Sequence, residues 1–95
     1  MEDAIRNILG DIPGGMIFDS HYIISQLIKH HSDVYLTFAS RIGGDSKKTE
    51  VVHSQIGQKI AQFESGINII EKIEEKSWSE NIHGKSSQCT AWKKL

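Results

Sequence analysis

The chain has 95 residues, 38% of them hydrophobic and 24% charged, with a formal net charge of −1. This predicts one soluble globular domain with a modest core, and it excludes a strongly basic nucleic-acid-binding chain and a membrane span. Because Cys89 is the only cysteine and the acidic start Met1–Ala4 lacks a signal-peptide pattern, we expect a cytoplasmic protein without disulfides.

The N-terminal part is predicted to be mainly helical. Residues 2–9 have apolar side chains at helical spacing, and Gly10 is a natural stop. The only proline and two glycines lie in residues 11–15, which predicts a turn. Residues 16–18 form a brief apolar run that favours a short strand.

Two further helices are expected before residue 43. Asp19 or Ser20 caps the first, which continues to about Lys29. Its inward residues are predicted to be Tyr22, Ile23, Leu27 and either Ile24 or Ile28. Ser32 is the expected cap of a short helix from Asp33 to Ile42, in which Val34, Tyr35, Phe38 and Ile42 are apolar at helical spacing.

The fourth predicted helix has two unlike faces and is the most informative segment. It spans roughly residues 50–64, with Thr49 as the expected cap and Ser65-Gly66 as its end. The inner face consists of Val52, Ile56, Ile60 and Phe63, at steps of four, four and three residues. The outer face is polar and almost free of acid, and consists of Ser54, Gln55, Gln58, Lys59 and Gln62.

The C-terminal third is predicted to be a wing-like hairpin. Residues 67–75 fit strand alternation and helical spacing equally, so both alternatives stay open. Gly84-Lys85 is expected to form a turn between two short strands. We predict that Trp78 and Trp92 pack in or beneath the core, because large aromatics dominate burial in small domains. The alternative for Trp78 is stacking on a base or a protein partner.

The charge distribution also separates the two halves of the chain. Residues 1–46 have three cations against six carboxylates, a net charge of −3. Residues 47–95 have eight lysines against six glutamates, a net charge of +2. The half with the polar helix face is therefore the basic one.

The outer face of the fourth helix is a candidate nucleic-acid surface. Glutamine can bond adenine bidentately, and lysine can bond guanine or phosphate. His53 and Ser54, near the helix N-terminus, could meet a phosphate. Lysine, serine and asparagine in residues 76–87 could contact phosphates. The predicted nucleic-acid-binding residues are Ser54, Gln55, Gln58, Lys59, Gln62, Lys76 and Lys85. The alternative is an amphipathic helix with a solvated outer face and a solvated loop.

No pattern in the sequence indicates catalysis or a cofactor. The five histidines have no zinc-ligand spacing, Cys89 has no evident histidine partner, and the glycine pairs lack the spacing of a phosphate loop. We therefore expect no enzyme, no metal and no cofactor.

The order of elements resembles winged helix-turn-helix domains over roughly residues 16–93. The resemblance rests on the entry Ile17–Ser20, the short helix 32–42, the segment His53–Ile60 and the tail Ser79–Gly84. It implies a small α+β, mainly helical fold with three or four helices followed by a C-terminal β-hairpin. In that scheme residues 1–15 are an N-terminal helix and turn, 16–65 the helical core and 66–95 the hairpin.

The resemblance implies binding of double-stranded DNA, with Gln55, Gln58 and Lys59 in a groove and Lys85 on the backbone, in a regulatory role. The chain departs from the winged helix-turn-helix pattern in two respects, its near-neutral charge and the long Gly43-Gly44 connection. They leave open a protein-protein interaction adaptor or oligomerisation domain of the same fold, with Trp78 in the partner patch. A homodimer is compatible with either function.

Overall fold

The computed structural model describes residues 1–42, 48–64, 69–80, 84 and 86–95. Within these ranges the chain is a small α+β domain with four helices and one three-stranded antiparallel sheet. The elements in chain order are α1 Glu2–Gly10, β1 Ile17–Asp19, α2 Ser20–His30, α3 Ser32–Arg41, α4 Lys48–Ala61, β2 Ile70–Glu80 and β3 Ser86–Lys94. None of the helices in these ranges is long and apolar enough to cross a membrane.

The sheet joins the beginning of the chain to its end. Its strand order is β1-β3-β2, so the last strand lies in the middle and the short β1 lies at an edge. Phe18 is opposite Trp92, and Lys72 is opposite Trp92 on the other side. Between Ile73 and Ser77 the register shifts, because β2 has more residues there than β3. The ambiguity over residues 67–75 is thus resolved as strand from Ile70 onwards.

The core collects apolar side chains from α1, α2, α4 and one face of the sheet. The predicted inner face of α4 is confirmed, since Val52, Ile56, Ile60 and Phe63 are at most 2% exposed. Ile23, Ile24 and Leu27 of α2 are buried with them. The remaining members of the cluster are Ala4, Ile5, Ile8, Leu9, Ile12, Phe18, Ile70 and Trp92.

Several details of the helices differ from the sequence prediction. Tyr22 was expected to face inward but is 43% exposed, because Ile23, Ile24 and Leu27 already fill the buried stripe of α2. The N-cap of α3 is His31, without a side-chain capping bond, and Ser32 is already helical. No residue of α3 is fully buried; Val34, Tyr35, Phe38 and Ile42 pack only partly against the core.

The ends of α4 and the length of the hairpin also differ. The helix begins at Lys48, before the expected cap Thr49, and its last turn tightens at residues 62–64, where the amides of Gln62, Phe63 and Glu64 bond carbonyls three residues earlier. The strands of the hairpin have eleven and nine residues rather than being short. The predicted connection at Gly43-Gly44, the predicted helix end at Ser65-Gly66, and Lys85 of the predicted hairpin turn lie outside the described residues.

The two tryptophans have opposite environments. Trp92 is 1% exposed, its ring stacks on Phe18 at a centroid distance of 5.9 Å, and its Nε1 donates a hydrogen bond to Oε1 of Glu64. Trp78 is 70% exposed, so the prediction that it packs in the core is wrong. The reason is strand alternation: Ser77 and Ser79 turn towards α2, which leaves Trp78 on the opposite face of β2, paired with the exposed Gln88.

The start of α2 holds the hairpin by side-chain hydrogen bonds. Of the two predicted caps, Asp19 and Ser20, the structure has Asp19: its Oδ1 accepts from the amide of Tyr22 at 2.9 Å, and its Oδ2 accepts from Oγ of Ser77 at 2.9 Å. In the first turn of α2, Nδ1 of His21 lies 2.7 Å from Oγ of Ser79. The residues on either side of Trp78 are therefore both tied to the N-terminus of α2.

The same bonds set the charge state of Asp19. Partial burial opposes ionisation and alone would raise the pKa of Asp19. The amide of Tyr22 and the hydroxyls of Ser79 and Ser77 outweigh burial and lower the pKa below its ordinary value. Ionised Asp19 is thus the form that caps α2 and holds the hairpin.

Stability should therefore depend on pH through Asp19. Because its folded pKa lies below the unfolded value, its contribution is complete above the unfolded pKa of about 3.9 and is lost as pH falls through the folded pKa. In Asp19→Asn, which keeps an oxygen for the cap, we expect the free energy of unfolding to fall less steeply than in the wild type between pH ~5 and pH ~2. Urea denaturation across this range measures it.

Asp33→Asn is the matched control, since Asp33 is an exposed carboxylate in the first turn of α3. It should keep the wild-type slope. Equal slopes in the wild type and Asp19→Asn would contradict the assignment.

Candidate functional site

A polar groove lies between α4 and the sheet. It has a volume of 440 Å³ and is open to solvent on one side. The wall from the helices consists of Ser20, His53, Ser54, Gly57, Gln58, Ala61 and Glu64. The wall from the hairpin consists of Lys72, Lys76, Gln88, Cys89, Thr90 and Trp92. The helix and the hairpin that the sequence marked as candidates are thus adjacent in space.

The predicted outer face of α4 divides into two stripes. Ser54 and Gln58, with Gly57 and Ala61, line the groove. Gln55 and Gln62 are exposed but belong to the neighbouring stripe, which also contains Lys59. Of the predicted residues, the structure therefore brings Ser54, Gln58 and Lys76 together in one groove.

Lys59 contacts other helices. Its Nζ lies 2.7 Å from Oε1 of Glu2 and 5.5 Å from the centre of the Phe38 ring. The Lys59 side chain is 25% exposed, and its hydrogen bond is the main cause that lowers the pKa of Glu2. Lys59 thus joins α4 to α1 and α3, and its charge is already matched by a carboxylate.

The polar groove residues that the sequence prediction missed are Ser20, Glu64, Lys72, Gln88 and Thr90. The signal for Lys72 was present, because alternation places it on the same strand face as the buried Ile70. That alternation was masked by the helical spacing of the isoleucines. Gln88 and Thr90 have the same parity as the buried Trp92, so a strand prediction through residue 92 would have placed them on the groove face.

Two lysines and one carboxylate are the formal charges of the groove lining. Lys72 and Lys76 are exposed, so their ammonium groups are accessible to a ligand. Glu64 is partly buried, and one of its oxygens accepts from Trp92. The groove is therefore weakly cationic and rich in hydrogen-bonding groups, which suits an anionic polar partner.

His53 is oriented by a neighbouring helix. Oη of Tyr35 on α3 lies 2.9 Å from its Nε2, and the two rings are tilted by 53° at 5.9 Å. Burial raises the pKa of Tyr35, so the phenol stays protonated and can donate to the imidazole. His53 is half-buried in the groove wall, beside Ser54.

Within the part of the chain that the structure describes, no three His, Cys, Asp or Glu side chains form a group that could hold a metal ion. Cys89 is a buried free thiol whose Sγ lies 3.8 Å from Oγ of Ser79. What the groove offers is recognition by hydrogen bonds and charge. No family model, curated protein or solved structure matches the chain.

Gly57 is a glycine inside a helix on the groove wall. A Cβ built there would meet no other atom within 4 Å. Glycine in a helix is less stable than alanine by roughly 0.5–1 kcal/mol, because it loses more backbone entropy on folding. We expect Gly57→Ala to raise the free energy of unfolding by about that amount, measured by urea denaturation.

Gly15→Ala is the control with the same free space but a different backbone. Gly15 has φ +90°, a conformation unfavourable for alanine, and its Cβ would also meet no atom within 4 Å. We expect this variant to lose roughly 1–2 kcal/mol. A loss of stability in Gly57→Ala would contradict the open position of Gly57.

Proposed function

We propose that the chain is a non-enzymatic DNA-binding domain of the winged-helix type. The observation that carries this proposal is the groove in which the exposed Ser54 and Gln58 of α4 lie opposite two accessible lysines of the hairpin. Charges of this kind suit phosphates, and amide side chains suit base edges.

The topology supports the winged-helix part of the proposal. The element order places α4 directly before the β2–β3 hairpin. The last strand, β3, then pairs with β1 from the start of the chain. In this scheme α4 is the recognition helix and the hairpin is the wing. Contacts of Asp19 and His21 with the hairpin hold this wing beside the helix.

In the proposed complex, α4 presents its polar face to the major groove of a duplex. Gln58 and Gln55 are placed to read base edges, and Ser54 near the helix N-terminus is placed to bond a phosphate. Lys72 and Lys76, on the hairpin wall of the protein groove, contact the phosphates of the DNA. Lys59 contributes less than its position in the sequence predicts, because Glu2 already neutralises it.

Removing a groove lysine should change the salt dependence of binding. Each lysine that neutralises a phosphate releases a counterion, so Lys72→Ala or Lys76→Ala should reduce the slope of log Kd against log salt by about 1. The measurement is fluorescence anisotropy of a labelled duplex over a KCl series.

Lys93→Ala is the matched control. Lys93 is an exposed lysine of β3 with the opposite parity to Trp92, so it lies on the other face of the sheet. It should leave the slope unchanged. Absence of duplex binding by the wild type even at low salt would remove the proposal.

A second candidate, a protein-interaction or homodimer domain, is favoured by one apolar patch. Met16, Ile17 and Tyr22 are 54%, 64% and 43% exposed around the edge strand β1, beside a 310 Å³ depression that Pro13 also lines. Exposed apolar groups at an open strand edge are typical of association sites.

The homodimer form of this candidate predicts a concentration-dependent increase in mass by light scattering. Ile17→Lys should suppress it, because a charge would be buried in the contact. Leu36→Lys, at an equally exposed leucine of α3, is the control that should not change it. A wild-type chain that stays monomeric at all concentrations would argue against the homodimer.

A further inference from the structure

Trp78 is an exposed aromatic side chain on a strand that is held firmly in place. It is 70% exposed, more than any other large hydrophobic residue in the described part of the chain. An isolated apolar residue on a surface requires no explanation by itself. Trp78, however, lies next to the groove on a strand whose backbone is fixed, and these two features together indicate a binding role.

The register places Trp78 at the end of the groove. Trp78 lies opposite Gln88, and side chains of such a pair share one face of a sheet. Gln88 lines the groove, and so do Thr90 and Trp92, which follow it on the same face of β3. The indole therefore continues the groove surface outward along the hairpin, two residues after Lys76.

The neighbours of Trp78 fix the direction of its side chain. Ser77 donates to Oδ2 of Asp19 at 2.9 Å, and Oγ of Ser79 lies 2.7 Å from Nδ1 of His21. With both flanking side chains held on the α2 side, Trp78 has to project from the opposite face. The ring is thus attached to a preorganised strand, so little backbone ordering is required when it binds.

The shape of nucleic acids decides what such a ring can stack on. Inside a duplex both faces of each base are covered by neighbouring base pairs, whereas an unpaired base exposes them. A flat aromatic side chain beside a cationic groove is the usual platform for an unpaired base. Trp78 is suited to this role, and Lys76 and Lys72 are near enough along β2 to hold the adjoining backbone.

We propose that the domain recognises a junction between duplex and single-stranded nucleic acid, with α4 on the duplex and Trp78 stacked on the first unpaired base. This inference rests on the proposed DNA-binding function and adds the class of DNA structure. It assigns Trp78 a role in specificity that is separate from the phosphate contacts of the lysines.

The test compares labelled probes by fluorescence anisotropy at one salt concentration. One probe is a blunt duplex, and the other is the same duplex with a short single-stranded overhang, prepared in a 5′ and a 3′ version. We expect the wild type to bind an overhang probe roughly tenfold more tightly, the size of effect that one stacked base provides. Trp78→Ala should abolish this preference and keep the blunt-duplex affinity. Trp78→Phe, which retains a ring, should keep most of the preference.

Two controls make the result specific. Leu36→Ala removes another exposed apolar side chain, on α3, and should keep the preference. Intrinsic fluorescence is the second readout: the overhang probe should quench the wild type, and Trp78→Phe, in which only the buried Trp92 emits, should lose the quenching. Circular dichroism checks that each variant is folded.

The outcomes separate this inference from the proposed function. Equal affinity for the blunt and overhang probes would overturn the inference and leave duplex binding intact. A preference that survives in Trp78→Ala, or an equal loss for both probes, would also overturn it. Failure of the wild type to bind either probe would overturn both proposals.

Discussion

The burial of Trp92 against Phe18 is the interaction on which the rest of the structure depends. Trp92 lies in the middle strand, stacks on β1, and donates its indole N–H to Glu64 just after α4. The Trp92 side chain thus connects β3 with β1 and with the end of α4. Because the ring is 1% exposed, it contributes roughly 2–3 kcal/mol by burial alone and fixes the distance between α4 and the sheet. That distance is the width of the groove.

The groove is formed by elements that are each held by a different kind of contact. The inner face of α4 is held by apolar packing, and Lys59 ties the helix to α1 through Glu2. The hairpin is held by Trp92 at one end and by Asp19 and His21 further out. The surface that remains is polar, which is the division of labour expected for a binding domain: a fixed frame with accessible hydrogen-bonding groups.

Much of this could be predicted from the sequence where one pattern dominates. The spacing of Val52, Ile56 and Ile60 predicted a buried face, and Asp19 was one of two candidate caps of α2. The prediction for Trp78 was wrong because its exposed position depends on the hydrogen bonds of Ser77 and Ser79, which are made with residues far away in sequence. The engagement of Lys59 by Glu2 likewise joins residues 57 positions apart. Contacts between distant elements leave no periodic signal, so local patterns could not reveal them.

The outer edge of β2 has a consequence for solubility in a crowded solution. An eleven-residue strand at a sheet edge is a template on which another chain could add a strand. Here the register shift between Ile73 and Ser77 interrupts the regular spacing of its amide and carbonyl groups. The exposed charges of Glu74, Glu75 and Lys76 fall in the same interval. The irregular stretch of the hairpin therefore protects the sheet against growth into a fibre, while its lysine remains accessible in the groove.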